Sequence, residues 1–334
     1  MEKKIKGGLW HLGRNMWNPK YATNKLVFDK NCWNDIVDGM EKAGMNTIFL
    51  DIGEALHYGS HPELAVPDAW TRQKMRREIK RLKEKGIDIV PKINFSAQHD
   101  TWLGIYERML STPEYYHVCR DIINEVCALF DDQPYIHLGL DEEDPRHAKE
   151  YELGLFRQKD LLWHDIQFFL DCARDCGKTP IMWGSLPLYH YEEFKEHIDP
   201  EDLILMHYHY HGVKEEHWIR TDSRQDYYDY YYVDGPYVDQ HMEILERDDP
   251  FYITFRKYAK KSVEDGYDVI MACSNFYKHE HNTDDVVDMC VNDWPQEHLK
   301  GIITAPWGAT VPEHYERHME AIDLLDKAFK KYNY

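Results

Sequence analysis

The amino-acid sequence predicts a single (β/α)8 barrel that spans residues 1–334. Eight short apolar runs alternate with longer amphipathic segments, and such runs are typical of parallel strands buried on both faces. Three amphipathic segments end in a glycine, at Gly86, Gly177 and Gly266, directly before the next apolar run. The competing architecture is a doubly wound sheet, but no glycine-rich phosphate loop follows the first run. We therefore expect the barrel.

Each predicted strand is a short apolar run bounded by turn residues. In order, the runs are Ile5–Leu12, Thr47–Ile52, Ile87–Asn94, Tyr135–Asp141, Thr179–Gly184, Leu203–His209, Asp268–Ser274 and Gly301–Trp307. The helices are predicted from apolar residues at helical spacing, with glycine or proline near their ends. They cover Asn34–Ala43, Trp70–Lys85, a segment that opens at Pro113, Asp160–Cys176, Tyr252–Glu264, Thr283–Asn292 and Pro312–Lys331.

The longest interruption of this pattern covers residues 210–249, between the sixth strand and its helix. It contains a run of five tyrosines and two aspartates at residues 226–232. Loops of this length are usually functional or disordered, and so many aromatic residues favour an ordered segment. We expect this insertion to cap the carboxyl-terminal face of the barrel, where active sites of this fold lie.

The charge balance is strongly acidic, with 60 Asp and Glu against 40 Lys and Arg and a formal net charge of −20. Nucleic acids and anionic membranes both require a basic surface, so neither is an expected partner. No apolar run reaches the roughly 18 residues that a membrane helix needs, and the start of the chain has no apolar signal core. The seven cysteines form no CxxC motif, so reduced thiols and a cytoplasmic location are expected.

Aromatic side chains are the unusual part of the composition, with 24 Tyr and 10 Trp beside 20 His. Rings that carry one polar tip suit a ligand with apolar faces and hydroxylated edges. A sugar fits this description, so a small carbohydrate or glycoside is the expected partner. The alternative is a barrel whose core and loops are rich in tyrosine without binding such a ligand.

The sharpest signal for a site is the fourth apolar run, Tyr135–Asp141, which leads directly into further acids up to residue 144. Strand alternation predicts that His137 and Asp141 share one face, with Glu142 at the rim. If that face lines the lumen, Asp141 points into the site and His137 contacts the substrate. Neighbouring carboxyl groups repel, so one holds its proton more tightly, which provides the acid and the base for glycosidic cleavage. The alternative is a solvated acidic loop before a helix.

The segment His137-Leu138-Gly139-Leu140-Asp141-Glu142 resembles the His-x-Gly-Gly-Asp-Glu motif of family 20 glycoside hydrolases, the β-N-acetylhexosaminidases, with leucine in place of the second glycine. Other strand ends resemble the same family less specifically. They are Pro91–Asn94 with His99 downstream, Met182–Gly184, Ser274–Tyr277 and Ala305–Gly308. The resemblance implies a divergent catalytic barrel that cleaves a terminal, β-linked N-acetylhexosamine with retention of configuration.

The mechanism implied by the resemblance is assisted by the substrate. The 2-acetamido oxygen of the sugar attacks its own anomeric carbon, Asp141 orients and stabilises the resulting oxazolinium, and Glu142 protonates the leaving oxygen and then activates water. By the same resemblance, Tyr277 helps to hold the acetamido oxygen, while Trp183 and Trp307 wall the sugar. No cofactor and no metal are implied.

Further substrate contacts are expected at other strand ends. Asn94 and His99 lie in the segment that resembles the family's third strand. Asp51 lies at the end of the second strand, and His207 and His209 lie near the end of the sixth. We expect the two histidines to hydrogen-bond sugar hydroxyls or to pack beneath the tyrosine-rich cap.

Two other functions stay open at the level of the sequence. Alternation places His207, His209 and His211 on one face, which is a plausible metal platform and favours a metal-dependent hydrolase such as a deacetylase. The second alternative is a sugar-binding barrel whose acids bind but do not cleave. The sequence also leaves open whether the chain forms a homo-oligomer.

Overall fold

The computed structural model describes residues 3–16, 22–143, 155–214, 217 and 251–334. Eight parallel strands close into a barrel in chain order, with β8 pairing back on β1. The strands are β1 Ile5–His11, β2 Thr47–Asp51, β3 Asp88–Lys92, β4 Tyr135–His137, β5 Thr179–Trp183, β6 Ile204–Tyr208, β7 Asp268–Cys273 and β8 Leu299–Thr304. Helices follow the strands around the outside, so the predicted (β/α)8 fold is confirmed.

Several of the helices begin at a side chain that satisfies the free backbone N–H groups of the first turn. Asp29 accepts a hydrogen bond from Cys32 N at 2.7 Å, and Thr71 accepts one from Lys74 N at 3.2 Å. The helices are α1 Lys30–Lys42, α2 Arg72–Glu84, α3 Pro113–Leu129, α4 Lys159–Asp175, α5 Ser185–Tyr189, α6 Tyr191–His197, α7 Phe251–Glu264, α8 Asn282–Asp288 and α9 Tyr315–Tyr332.

The three glycines that the sequence places at helix ends have left-handed backbones, with φ of 75° at Gly86, 71° at Gly177 and 93° at Gly266. Glycine adopts this conformation without the steric penalty of a Cβ atom, so the chain can leave the helix and enter the next strand within one or two residues. The predicted sequence of helix, glycine and strand is confirmed at all three places.

Side-chain parity along each strand divides the apolar residues between two cores. One core lies between the strands and the outer helices. The smaller core fills the lumen of the barrel, with Leu9, Phe49, Val90, Ile181, Met206, Ile270 and Ile303 among its members. A residue two positions after a lumen residue points into the same lumen, and this parity positions the candidate site.

Strand β4 is shorter than predicted, because it ends at His137 rather than at Asp141. The backbone turns left-handed at Gly139 and Leu140, with φ of 75° and 60°, whereas a strand needs extended φ. The prediction that strand alternation continues to Asp141 is therefore wrong, and other contacts hold this residue at the barrel mouth.

Other boundaries differ where the helical pattern changes its hydrogen-bond spacing. The predicted helix over 283–292 divides into α8 and a π-helical turn at Met289–Asp293, and a 3₁₀ turn at Pro312–His314 precedes α9. The predicted cap over residues 210–249 lies outside the described residues except for 210–214 and 217. In the described parts of the chain, we find no helix with the length and apolar character needed to span a bilayer.

Candidate active site

Four polar side chains from consecutive strands line one half of the lumen near its carboxyl end. They are His11, Asp51, Lys92 and His137, which are register neighbours across β1 to β4, and each is at most 1% exposed. Lys92 Nζ donates to Asp51 Oδ2, and His11 Nδ1 lies 3.9 Å from the same oxygen. Burial of an ion pair carries a desolvation penalty that apolar residues would avoid, so this polar arc is a candidate ligand-binding surface.

Burial sets the protonation states within the polar arc. It lowers the pKa of His137 well below 6.5, and the charge of Lys92 acts in the same direction. Since His137 Nδ1 accepts a hydrogen bond from Gly139 N at 3.0 Å, the proton of the neutral ring lies on Nε2. Among the described residues, His137 Nε2 and Asp51 Oδ1 are buried without a hydrogen-bond partner. A ligand hydroxyl group would satisfy either atom.

Asp141 lies at the barrel mouth because the loop after β3 holds it there. Asn94 Nδ2 donates to Asp141 Oδ1 at 2.9 Å, and Ser96 Oγ donates to the backbone oxygen of the same residue. A Cβ atom at Gly139 would lie 1.9 Å from Asn94 Oδ1. Glycine at this position therefore lets the two loops approach closely enough for Asn94 to reach the carboxylate.

Glu142 pairs with His99 across the same two loops. His99 Nε2 lies 2.7 Å from Glu142 Oε2 and 3.6 Å from Asp141 Oδ2, while His99 Nδ1 lies 3.0 Å from the backbone oxygen of Met16. Burial alone would lower the pKa of His99, but the charges of Asp141 and Glu142 outweigh it and raise the pKa to about 9. His99 is therefore an imidazolium at neutral pH and donates from both ring nitrogens.

We expect His99 to make the protein less stable as the pH rises into the alkaline range. Because its pKa rises from 6.5 when unfolded to about 9 when folded, its contribution is fully present below pH 6.5 and is lost as the pH rises through about 9. The free energy of unfolding should fall by up to about 3 kcal/mol over this range. Denaturant unfolding of the wild type and of His99→Gln measures the difference. If both proteins lose stability equally between these pH values, the assignment of the raised pKa is wrong.

Aromatic rings from β5 to β8 and the segments that follow them line the other half of the mouth. The members of this aromatic wall are Trp183, Tyr208, Tyr210, Tyr277 and Trp307. The ring centroid of Trp183 lies 5.7 Å from that of Trp307 and 5.6 Å from that of Tyr208. Tyr210 lies 6.2 Å from both Trp307 and Tyr277. The rings form a continuous surface, which suits the apolar face of a ligand.

The aromatic wall lies close to the acid pair. Burial raises the pKa of Tyr210 well above its ordinary value, and the charges of Asp141 and Glu142 raise it further, which places this phenol within electrostatic reach of both acids. The wall also meets the polar arc, because the ring centroids of Trp183 and His137 are 5.0 Å apart. A ligand in the mouth would therefore contact acids, polar groups and rings together.

The predicted contacts of His207 and His209 with substrate are wrong. His207 Nε2 lies 3.0 Å from Ser262 Oγ on α7, so the side chain points out of the lumen into the helix layer. His209 has the same outward parity, and its Nε2 lies 3.4 Å from the backbone oxygen of Gly212. The lumen positions of this strand belong to the even-numbered residues, so Tyr208 takes the place expected for the histidines.

The three histidines at the end of the sixth strand do not form the metal platform of the alternative hypothesis. Across the described residues, the one group of His, Cys, Asp and Glu whose ligand atoms all lie within 4.8 Å of one another is His99, Asp141 and Glu142. Since His99 has a pKa of about 9, a metal ion would have to displace its proton at neutral pH. The geometry is that of an ion pair.

The structure brings most of the predicted site residues together at the barrel mouth and adds others. The predicted members are Asp51, Asn94, His99, His137, Asp141, Glu142, Trp183, Tyr277 and Trp307. The added members, which were not predicted from the sequence, are His11, Lys92, Tyr208 and Tyr210. No pattern in the sequence separates the two faces of β6, because Ile204, Leu205 and Met206 are all apolar.

Comparison with known proteins shows that several solved structures share the fold of this chain. No protein-family model matches the chain. A β-N-acetylhexosaminidase from Bacteroides fragilis has a TM-score of 0.62 at 14% identity, over 98% of this chain and 65% of that one. The family 20 β-N-acetylhexosaminidase from Streptomyces coelicolor has a TM-score of 0.60 at 12% identity, over 96% of this chain and 63% of that one.

A mutant of Streptomyces plicatus β-hexosaminidase in complex with its product GlcNAc is also similar, with a TM-score of 0.59 at 12% identity over 96% of this chain and 63% of that one. The chain thus spans less than two thirds of the length of these three structures. At such identities the likeness concerns the fold, and the predicted resemblance to family 20 barrels is confirmed at that level.

Proposed function

We propose that this chain is a glycoside hydrolase that removes a terminal, β-linked 2-acetamido sugar by substrate-assisted, retaining hydrolysis. The observation that carries the proposal is the acid pair Asp141 and Glu142, which Asn94 and His99 hold at the barrel mouth close to the aromatic wall. The proposal is also supported by the fold-level likeness to hexosaminidases, one of which is of family 20 and another of which is in complex with its product GlcNAc.

Each part of the mouth has a role in this proposal. The aromatic wall packs against the apolar face of the sugar, and the polar arc hydrogen-bonds its hydroxyls. The acetamido oxygen attacks the anomeric carbon, the bond to the leaving oxygen breaks, and Glu142 supplies the proton that this oxygen takes up. Asp141 accepts a hydrogen bond from the acetamido N–H and balances the positive charge of the oxazolinium. Water, deprotonated by Glu142, then attacks the anomeric carbon and breaks its bond to the acetamido oxygen, which opens the oxazolinium ring and restores the acetamido group.

The charge of the mouth agrees with a cationic intermediate. Once Glu142 has given up its proton, three carboxylates, Asp51, Asp141 and Glu142, lie beside two cations, Lys92 and His99. The excess of negative charge stabilises positive charge that develops on the sugar, and fixed groups of this kind contribute more in a water-poor site than in solution. A neutral sugar therefore suits this mouth better than an anionic one.

We expect 4-nitrophenyl β-N-acetylglucosaminide or β-N-acetylgalactosaminide to be cleaved at least about 100-fold faster, in kcat/KM, than the matching 2-hydroxy glycosides. An acetamido group held next to the anomeric carbon acts as an intramolecular nucleophile, which is worth several orders of magnitude in effective concentration. Release of nitrophenol from the four substrates measures the preference, with a chelator-treated sample as the control for metal-dependent cleavage.

Equal rates for acetamido and hydroxy substrates would contradict substrate assistance. Saturable binding of N-acetylglucosamine without release of nitrophenol over long incubation would instead favour the sugar-binding barrel, and loss of activity in the chelator would favour a metal-dependent hydrolase.

We also propose that the chain acts as a single catalytic domain in the cytoplasm, where its cysteines, all free in the structure, would stay reduced.

A further inference from the structure

A buried charged network lies directly behind the acid pair, in the wall between the barrel and the outer helices. Its centre is Arg157, which is 2% exposed. The guanidinium donates from Nε to Asp165 Oδ2 at 2.7 Å, from Nη2 to Tyr115 Oη at 2.9 Å, and from Nη1 to both Glu143 Oε1 and the backbone oxygen of Phe95. Asp165 lies on α4 and Tyr115 on α3, so Arg157 joins the helix layer to the loops of the site.

Glu143 links the two loops that carry the candidate catalytic groups. It directly follows Glu142, but its side chain is buried in the wall, with only 6% of the residue exposed. Glu143 Oε1 accepts a hydrogen bond from Ala97 N at 2.8 Å as well as from Arg157. Ala97 lies between Asn94 and His99 in the loop after β3. One carboxylate oxygen thus fixes the spacing between the loop of His99 and the loop of Glu142.

The backbone of Glu142 needs such a restraint. Its φ is 56° and that of Leu140 is 60°, and a left-handed conformation at a residue with a side chain persists only where the surroundings enforce it. On one side the restraint is Asn94 bound to Asp141. On the other side it is Glu143, held by Arg157 and Ala97. Glu142 lies between these two anchors.

The network carries more charge than packing alone requires. One guanidinium serves two buried carboxylates, Glu143 and Asp165, and the neighbouring Asp100 is also buried, with a pKa that burial raises well above its usual range. Apolar residues of similar volume would fill this space at no loss of stability. A role in fixing the geometry of the adjacent loops accounts for the charges.

We propose that Arg157 is a positioning residue that, through Glu143, sets the distance between His99 and Glu142. This inference rests on the proposed function, in which Glu142 transfers the proton. The pKa of His99 can report on this distance, because it depends on the charged groups that face the ring. These groups are Asp141, Glu142, Lys92 and Asp51. If Glu142 moves away, His99 loses part of the negative charge that keeps its proton bound.

Two matched substitutions test the proposal on opposite sides of the same guanidinium. Glu143→Gln removes the charge on the loop side, and Asp165→Asn removes an equivalent charge on the helix side. We expect Glu143→Gln to lower kcat by about 10- to 100-fold with KM changed less than about threefold, and to lower the pKa of His99. Asp165→Asn should lower the Tm but leave kcat within about twofold and the pKa of His99 unchanged.

Arg157→Lys adds a third variant, because lysine keeps the charge but cannot form the fork that spans Glu143 and Asp165. We expect it to behave as Glu143→Gln does. The pKa of His99 is read from an NMR titration of the ring, with His99→Gln for assignment, and requires no substrate. If the wild type cleaves no glycoside but Glu143→Gln alone lowers this pKa, the proposed function fails and the positioning role stands.

A purely structural network would give a different pattern. Glu143→Gln and Asp165→Asn would then lower the Tm and the yield of folded protein, while kcat per folded molecule and the pKa of His99 stayed at the wild-type values in both. That result would overturn the proposal. An equal fall of kcat and of the His99 pKa in both variants would also overturn it, because the loop side would then have no special role.

Discussion

Replacing Glu142 with glutamine is expected to lower kcat on a 4-nitrophenyl N-acetylhexosaminide by about 100- to 10,000-fold, the usual range for loss of a general acid. Glutamine keeps the size of the side chain and can still accept a hydrogen bond from His99, so the mouth should keep its shape. It can neither give a proton to the leaving oxygen nor take one from water. Steady-state release of nitrophenol, with the Tm as a check on folding, measures the effect.

The acidity of the leaving group separates loss of the acid from general damage. A 2,4-dinitrophenyl glycoside leaves as a stable anion and needs little proton transfer, so Glu142→Gln should lose much less activity on it at the first step. Glu313→Gln provides a control, because Glu313 is an exposed acid in the 3₁₀ turn before α9 and this variant should behave as the wild type does. If Glu142→Gln keeps more than about a third of wild-type activity on the 4-nitrophenyl substrate, another group is the acid.

The barrel could be predicted from the sequence because its signals are local. A buried parallel strand needs a short apolar run whatever its neighbours are, and each helix end needs a residue that accepts left-handed φ, as Gly86, Gly177 and Gly266 do. These requirements repeat with each strand–helix pair. The repetition gives the fold class even though individual boundaries differ by a few residues.

The acid pair was predicted at the correct end of the barrel but for an incomplete reason. The prediction extended strand alternation as far as Asp141, whereas the strand ends at His137. Gly139 and Leu140, which follow it, have left-handed backbones. What holds Asp141 in place is Asn94, which is 47 residues away in sequence. Contacts between distant loops leave no periodic pattern, so the sequence indicated the presence of the acids but not their geometry.

The sixth strand illustrates a second limit of periodicity. Alternation correctly groups His207 with His209, but it does not tell which face is the lumen. In the structure, packing decides which face His207 occupies. A Cβ atom at Gly184 would lie 2.2 Å from His207 Nδ1, and Ser262 Oγ on α7 lies 3.0 Å from His207 Nε2. The space for this imidazole is made by residues on two other elements. Parity alone therefore could not show that the histidines face away from the lumen.

The two halves of the lumen have different roles in the proposed reaction. Strands β1 to β4 supply charges and imidazoles, and the β5 to β8 side supplies rings. A sugar has hydroxyl edges and a more apolar face, so it has one orientation that matches both halves. In the proposed mechanism the anomeric centre lies near the β4 loop, where Asp141 and Glu142 are adjacent and have different partners.

Replacing Asp141 with asparagine should lower kcat on acetamido substrates by about 100- to 1000-fold, because the oxazolinium loses the negative charge beside it. Asparagine has the same shape and can still accept the hydrogen bond from Asn94, so the mouth should stay intact. It also takes away one of the two charges that raise the pKa of His99, so that pKa should fall below about 9. Nitrophenol release and the NMR titration of His99 measure the two effects separately.

The pattern across leaving groups distinguishes the two acids more sharply than the size of either loss. In the proposed mechanism Asp141 acts on the acetamido group and Glu142 on the leaving oxygen. Asp141→Asn should therefore lose a similar factor on 4-nitrophenyl and 2,4-dinitrophenyl substrates, while Glu142→Gln should not. Asn94→Leu, which removes the donor to Asp141 Oδ1, should give a weaker version of the Asp141 pattern. If the loss of kcat depends on the leaving group in the same way for both acid variants, the two carboxylates act together as the acid. Asp141 would then have no separate role in the substrate-assisted step.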